Sequence, residues 1–323
     1  MSESRTVARG AVLASFTIVV LASCVRVEDF FFAGQSVDDY RWDETDPVID
    51  GDLSSPHPSL IPAGLRDEGF VEVDDETSLH WIFARQPEGA ERATIFFSHG
   101  NGPSLGRFWD RVEVMWQLGY QVLVYDYPGF GRSSGTASEA GLYDAAGRML
   151  ALLGGREDVD PDRIVLYGHS MGCAPTFEVA VRSMGGAIVA RRGGDDVEVH
   201  ARAVITESAW CSIEEMIRDG AFLDLPGELV SRLRFDNCAR IPELRGVPVM
   251  LLHGRRDRVV PIRQLTLLDG AAAEPAIVHR VADADHVNVS VVGEPWPGSD
   301  PPSGVPRPSA DYAEWLTSLV PPD

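Results

Sequence analysis

The stretch "RIVLYGHSMGCAP", residues 163–175, indicates both the fold and the chemistry that the chain can support. It places Ser170 within the pattern Gly-x-Ser-x-Gly, after the apolar run "IVLY" and before a stretch with helical apolar spacing. A strand, a sharp turn and a helix in this order are typical of a nucleophile elbow, in which glycines flank a serine with a strained backbone. Because the chain contains 31 glycines, the pattern alone is a hypothesis, and other residues must supply the partners of Ser170.

The composition favours one large acidic domain. The chain has 323 residues, of which 44% are hydrophobic and 24% charged, enough to bury a sizeable core. Its formal net charge of -21 argues against a nucleic-acid partner, because binding to phosphate backbones depends on cationic side chains. All 28 basic residues are arginine, which excludes a P-loop lysine, a pyridoxal phosphate Schiff base and a Ser-Lys dyad.

The first residues predict export. Arg5 and Arg9 precede an apolar run over residues 11–22, which is too short for the ~20 residues of a membrane-spanning helix, so we interpret residues 1–23 as a signal peptide. The sequence "LASC", which ends at Cys24, resembles the lipobox of bacterial lipoproteins. That resemblance implies that Cys24 is acylated and anchors the exported protein to a bacterial membrane, inner or outer. A permanent transmembrane anchor is the alternative.

The rest of the chain divides into a tether and leading segment, residues 24–65, and an α/β domain, residues 66–323. Short β-branched runs predict strands near 69–73, 78–85, 93–100, 120–127, 163–170, 202–208, 247–254 and 276–283. Amphipathic stretches predict helices near 106–118, 138–153, 171–184, 262–272 and 309–319. This alternation predicts a mostly parallel eight-stranded sheet flanked by helices.

Two segments interrupt the alternation. Residues 209–246 predict a small cap with helices near 211–219 and 226–234. Residues 291–308 are rich in proline and glycine and predict a loop without regular structure.

The cysteines leave alternatives open. Cys211 and Cys238 are compatible with a disulfide, which export permits, or with two buried thiols, whereas Cys173 is expected to be a small packing group.

Chain order suggests the partners of Ser170. A serine hydroxyl needs a histidine to remove its proton and a carboxylate to orient that histidine. Asp257 follows the strand in "LLHGRRDRVVP", and His286 follows the next strand in "RVADADHVNVS". Asp283 and Asp285 are alternative acids, although their adjacency to His286 in sequence makes that pairing geometrically awkward.

An acyl-transfer site also needs donors for a developing oxyanion. One expected donor is the backbone N–H of Met171, directly after the serine. The other is the backbone N–H of Asn101, in the glycine-containing loop that follows the strand "ATIFFSHG".

Together these motifs resemble the α/β-hydrolase superfamily. "SHGNG", "YDYPGFGRSSG", "LYGHSMG", "LLHGRRDRVVP" and "DADH" occur in the order of that family, and the resemblance covers about residues 66–290. The chain is most similar to the bacterial esterase-like and depalmitoylase-like hydrolases with a small cap. The resemblance implies that Ser170, Asp257 and His286 form a catalytic triad, whereas Asp126 and its following glycines shape a loop. The segment "RRGGDDVE", residues 191–198, and the proline-rich insertion depart from the family pattern.

The leading hypothesis is an exported, lipid-anchored serine hydrolase that cleaves carboxylic esters or thioesters of a small or acylated substrate without metal or cofactor. Trp210, Phe222 and Leu225 in the cap either line an acyl site or pack the cap itself. A serine peptidase or amidase is the second hypothesis, with Glu207 and Glu214 available to bind an amine. A non-catalytic surface-binding lipoprotein is the third hypothesis. A dinucleotide-binding protein is disfavoured, because no Gly-x-Gly-x-x-Gly motif follows the first core strand. The sequence does not determine the oligomeric state.

Overall fold

A twisted sheet with helices on both faces carries the candidate site. The computed structural model describes residues 32, 34–40, 52–53, 56–89, 92–220 and 232–319. Within these residues the strands are β1 (Arg66–Glu72), β2 (Ser78–Ala84), β3 (Thr94–Ser98), β4 (Gln121–Tyr125), β5 (Ile164–His169), β6 (Val189–Arg192), β7 (Asp195–Glu198), β8 (Ala201–Glu207), β9 (Val249–Gly254) and β10 (Ile277–Val281). The α-helices are α1 (Trp109–Gln117), α2 (Glu139–Gly154), α3 (Cys173–Met184), α4 (Ile213–Gly220), α5 (Asn237–Arg240), α6 (Ile262–Ala271) and α7 (Ala310–Leu319).

The main sheet has the order β1-β2-β4-β3-β5-β8-β9-β10. Strand β2 runs antiparallel to both of its neighbours, and the other neighbouring pairs are parallel. The carboxyl ends of β3, β5, β8, β9 and β10 therefore meet at one edge of the sheet, where the loops after them converge. This architecture confirms the predicted fold.

Both faces of the sheet are covered, which explains why the central strands are apolar at nearly every position. Phe96 and Leu166 belong to the layer that packs beneath α2 and α3, whereas Ile95 and Val165 belong to the layer that packs beneath α1 and α7. Neighbouring residues of a strand point to opposite faces, so each strand contributes to both layers.

The described part of the leading segment lies against the domain. Gln35 donates its N–H to the Pro103 carbonyl at 3.0 Å and accepts from the Gly131 N–H at 2.9 Å, so the segment touches the loops after β3 and β4. On α1, Asp110 accepts a hydrogen bond from the Leu53 N–H, and Glu113 accepts one from the Leu60 N–H. Two parts of this segment are therefore held by groups next to the carboxyl edge and on α1.

The segment 191–198 forms most of a β-hairpin, β6 with β7, that the sequence did not predict as strands. Gly193 and Gly194 occupy its turn with φ of 57° and 99°, a conformation that suits the two-residue turn of a tight hairpin. The flanking strands are largely exposed and charged, so they lack the apolar pattern on which strand prediction depends.

The cap differs in part from its prediction. The first expected helix is present as α4, two residues later than predicted. The second, expected over 226–234, lies largely outside the described residues, and its described end at 232–234 is not helical. Instead α5 follows, with the Asp236 carboxylate capping it through the Ala239 N–H at 2.9 Å. Residues 291–308 contain neither helix nor strand, as expected.

Cys211 and Cys238 form a disulfide between the start of the cap and α5. Replacing both by serine is expected to lower the free energy of unfolding by about 3 to 4 kcal/mol on the chain-entropy account, because the bond closes a 27-residue separation. Urea unfolding of the parent and the double variant measures this. A reductant should destabilise the parent and leave the double variant unchanged. Insensitivity of the parent to reductant would contradict the assignment.

Candidate active site

Ser170 lies at the turn between β5 and the short 3-10 helix that leads into α3. Its φ of 52° is left-handed, an uncommon conformation for a residue with a side chain. A Cβ atom on Gly172 would collide with the carbonyl oxygens of Ser98 and His99, and one on Gly168 would collide with the backbone at Gly172. The two glycines are thus required by the close approach of three pieces of backbone.

A continuous chain of hydrogen bonds joins Ser170, His286 and Asp257. The Ser170 Oγ atom lies 3.0 Å from His286 Nε2, and His286 Nδ1 lies 2.8 Å from Asp257 Oδ2. Donation from Nδ1–H to the carboxylate leaves Nε2 free to accept the serine proton. Residues separated by up to 116 positions are brought together because they follow β5, β9 and β10 at the same edge.

Asp257, rather than the neighbouring acids of the His286 loop, reaches the imidazole. Asp283 pairs with Arg256, and Asp285 accepts a hydrogen bond from the Val287 N–H at 3.0 Å. The structure thus brings together the three side chains that sequence order singled out.

The surroundings of Asp257 favour its ionised form. Burial acts to raise its pKa, but the hydrogen bond and charge of His286 and the backbone N–H of Val260 outweigh it, so the pKa lies below its ordinary value. Its second oxygen, Oδ1, accepts hydrogen bonds from the N–H groups of Val259 and Val260 at 2.9 and 2.8 Å. The loop of Asp257 therefore holds the carboxylate in place independently of its contact with His286.

His253 is a neighbour of the site that sequence reasoning assigned only to a strand. Its Nε2 donates to the Val260 carbonyl at 2.8 Å and lies 3.4 Å from Asp257 Oδ2. The sequence feature that could have indicated this contact is the position of His253 four residues before Asp257.

The loop after β3 lies beside the turn that carries Ser170. The Tyr127 hydroxyl donates to the His99 carbonyl at 2.7 Å, and Gly100 packs against the His169 ring so closely that it has no room for a Cβ. Asn101 comes next in this loop, and Met171 directly follows Ser170. The two expected oxyanion donors therefore belong to adjoining backbone segments.

Asp126 holds the far end of this loop. Its Oδ1 accepts the Leu105 N–H at 2.7 Å, and its Oδ2 accepts the Arg132 N–H at 3.1 Å. A Cβ on Gly131 would overlap this carboxylate, and Gly131 has a left-handed φ of 53°. Asp126 thus shapes the loop, as the sequence suggested.

The carboxylates considered for amine binding are occupied elsewhere. Glu207 is fully buried and accepts a hydrogen bond from the Tyr167 hydroxyl at 2.7 Å. Glu214 lies on α4 and pairs with Arg218 on the same helix.

The cap residue Trp210 is 3% exposed and packs near Phe235, which also meets Phe32 of the leading segment edge to face. The burial of Trp210 agrees with the alternative in which this residue packs the cap itself. Phe222 and Leu225, like Cys24, lie outside the described residues.

The proline-rich insertion runs away from the site. Gln117 at the end of α1 donates to the Pro306 carbonyl at 2.9 Å, and Trp296 lines a cavity with Arg92, just before β3. Both contacts lie toward the amino ends of β3 and β4, opposite to His286. Within the described ranges, no group of three or more His, Cys, Asp or Glu side chains is arranged to hold a metal ion, and no helix there is long and apolar enough to cross a membrane.

Comparison with known proteins identifies the family. The sequence profile described as the alpha/beta hydrolase family matches residues 95–305. Uncharacterized protein YfhR of Escherichia coli K12 is 31% identical over 225 residues, 68% of this chain and 72% of that protein. Uncharacterized protein Rv2307c of Mycobacterium tuberculosis is 30% identical over 241 residues, 73% of this chain and 78% of that protein. Among solved structures, the Pyrococcus furiosus esterase PF2001 superposes with a TM-score of 0.57 at 17% identity, covering 83% of this chain and 96% of that one, a similarity of fold.

The environment of Asp126 generates a pH-dependent prediction. Burial raises its pKa to about 8, against the opposing hydrogen bonds from Leu105 and Arg132. An unfolded aspartate titrates near pH ~3.9, so between these values the folded state binds a proton that the unfolded state lacks. Stability contributed by this group is present below about pH 4 and is lost as the pH rises toward 8.

We therefore expect Asp126→Asn to gain stability relative to the parent as the pH rises from about 4.5 to about 7.5. Urea unfolding of both proteins across this range measures the difference. Asp158→Asn is the control. Partial burial acts to raise the pKa of Asp158, but the hydrogen bond and charge of Arg156 outweigh it, so the pKa lies below its ordinary value. The difference in unfolding free energy between this variant and the parent should therefore stay constant over this range. A constant difference for Asp126→Asn as well would contradict the prediction.

Proposed function

The chain belongs to the alpha/beta hydrolase family, and on that premise we propose that it is a serine hydrolase that cleaves carboxylic esters or thioesters through an acyl-enzyme. The observation that supports this proposal is the unbroken hydrogen-bonded chain from Ser170 through His286 to Asp257. Such an arrangement converts a weakly nucleophilic hydroxyl into one that a neutral imidazole can deprotonate.

In the proposed acylation step, Ser170 Oγ attacks the substrate carbonyl carbon while its proton passes to His286 Nε2. The resulting oxyanion is stabilised by the backbone N–H groups of Met171 and Asn101. Collapse of the tetrahedral intermediate breaks the bond to the leaving oxygen or sulfur, which takes the proton from His286 and departs as an alcohol or thiol. The acyl group remains on Ser170 as an ester.

In the deacylation step, His286 removes a proton from water, and the resulting nucleophile attacks the acyl carbon. The second intermediate collapses to release a carboxylic acid, and the proton returns to Ser170. Asp257 stays ionised throughout, stabilising the imidazolium and keeping the Nδ1–H oriented away from the serine.

The ester class is favoured over peptide substrates with a free amine by the occupied carboxylates near the site. Glu207 is buried against Tyr167, and Glu214 is paired on the surface of α4. Neither is free to receive an ammonium group at the serine.

We also propose, from the sequence, that residues 1–23 are removed, that acylated Cys24 anchors the exported protein, and that residues 24–65 connect this anchor to the hydrolase domain and its cap at 209–246. Replacing Cys24 by alanine should abolish incorporation of a fatty-acid analogue and move the protein out of the membrane fraction. Retention of label by the variant would contradict this proposal.

The nucleophile is tested by Ser170→Ala. This change should abolish labelling by a fluorophosphonate probe and reduce ester turnover by about 10⁶-fold, because it removes the hydroxyl that lies 3.0 Å from His286 Nε2. Gel fluorescence and hydrolysis of p-nitrophenyl esters of increasing chain length provide the measurements. Labelling that persists in Ser170→Ala would overturn the assignment of Ser170 as the nucleophile. A parent protein that is more active on aminoacyl anilides than on esters would favour an amidase.

The acid is tested by Asp257→Asn. The amide cannot hold the Nδ1–H tautomer of His286, so kcat should fall by about 10⁴-fold while the protein remains folded. The control is Asp283→Asn, which removes only the surface pair with Arg256 and should retain the parent rate. A larger loss of kcat in Asp283→Asn than in Asp257→Asn would show that Asp257 is not the acid that orients His286.

A further inference from the structure

Arg111 is a charged residue in the interior of the protein, on a helix that is buried from Trp109 to Met115. It belongs to α1, is 2% exposed, and points its guanidinium beneath the loop that carries His286. Burying a cation is costly unless counter-charges and hydrogen bonds compensate it. The reaction scheme proposed above assigns this residue no part.

Its closest contact is to the backbone next to the catalytic histidine. Arg111 Nη2 donates to the Val287 carbonyl at 2.7 Å, although 176 positions separate the two residues. The adjoining carbonyl, that of His286 itself, accepts from Ser208 Oγ at 3.2 Å and lies 3.1 Å from His169 Nε2. Side chains from α1, from the end of β5 and from the residue after β8 therefore converge on two consecutive carbonyls.

The protonation of His169 separates these contacts. Its burial, with the charges of Arg111 and His286, lowers its pKa well below the ordinary value, so the ring is neutral. Nε2 also lies 3.2 Å from Arg111 Nη2, but one nitrogen cannot both donate to the His286 carbonyl and accept from arginine. We assign the proton to Nε2, which directs Arg111 to Val287.

Compensating charge reaches Arg111 from the sheet and from the leading segment. Glu207 is fully buried, with Oε1 3.9 Å from Arg111 Nη2, and its other oxygen accepts the Tyr167 hydroxyl. Burial raises the pKa of Glu207, and Arg111 opposes that effect. Asp52 and Asp110 lie 3.5 and 3.8 Å from Arg111 Nη1. Acidic groups thus lie close to both terminal nitrogens of the guanidinium and compensate its charge.

From this geometry we propose that Arg111, supported by Glu207, is a positioning residue that, together with Ser208, holds the His286 loop so that Nε2 stays aligned with Ser170. This inference rests on the proposed hydrolase function. The imidazole is attached to the backbone whose carbonyls these side chains hold, so a shift of that backbone moves Nε2 away from the serine hydroxyl. Small displacements of a catalytic group have large effects on rate.

The test uses Arg111→Met, which keeps the apolar stem and removes the donors. We expect kcat to fall by up to about 100-fold with KM within about twofold of the parent, because the loss affects alignment and not substrate binding. Fluorophosphonate labelling of Ser170 should slow in parallel. Arg111→Lys retains the charge and one donor, so it should recover part of the rate.

Hydrogen–deuterium exchange provides a readout that needs no turnover. Peptides spanning residues 282–290 should exchange faster in Arg111→Met than in the parent. The control is Arg156→Met, which removes a partly buried arginine that pairs with Asp67 and Asp158 at the other end of the sheet. It should lower stability without changing kcat or exchange in these peptides.

If Arg111→Met does not fold, Ser208→Ala takes its place, since it removes only one hydroxyl donor to the His286 carbonyl. We expect a several-fold lower kcat, an unchanged KM and faster exchange of the same peptides. The proposal would be overturned if the folded Arg111→Met protein showed the kcat and the exchange of the parent. If Arg111→Met does not fold, the same result in Ser208→Ala would overturn it. An inactive, unlabelled parent would instead refute the hydrolase function, and exchange would still decide whether Arg111 and Ser208 hold the loop.

Discussion

Gly172 lies so close to the carbonyl groups of Ser98 and His99 that no side chain fits between them. This contact brings the turn after β5 against the end of β3, and the rest of the site depends on it. The turn that carries Ser170 and Met171 is thereby packed directly against the loop that carries Asn101. A larger residue would separate the two loops while leaving the strands intact, which is why glycine stands at this position.

Buried polar and charged side chains hold the loops of the site. Asp126 holds the loop after β3, Asp257 orients His286, and Arg111 reaches the backbone beyond it. Backbone N–H groups donate to both carboxyl oxygens of Asp126 and to Oδ1 of Asp257, and a backbone carbonyl accepts from Arg111 Nη2. Such bonds restrict loops that have little apolar surface of their own, which is the physical reason for polar side chains in the interior here.

The strands of the main sheet were predicted at their observed places, most clearly β3, β4, β5 and β9, because buried parallel strands leave apolar runs in the sequence. The turn at Ser170 was recognisable from its glycines, and Asp257 and His286 were singled out by chain order. The hairpin β6–β7 was missed because its exposed strands carry charges instead of alternating apolar residues. The disulfide between Cys211 and Cys238 stayed an open alternative, since sequence carries no information on the distance between two thiols.

Local patterns were sufficient to identify the strands, their ends and the side chains that leave them at the carboxyl edge, since each pattern depends on residues within a few positions of one another. The tertiary structure alone decided which groups meet across the edge. Arg111 and Val287 touch across 176 positions, and the contact of His286 with Asp257 decides against Asp285, which the sequence left open as an alternative acid. Such contacts arise when the packing of helices on both faces sets the height and rotation of each strand, a property of the whole sheet that no short stretch encodes.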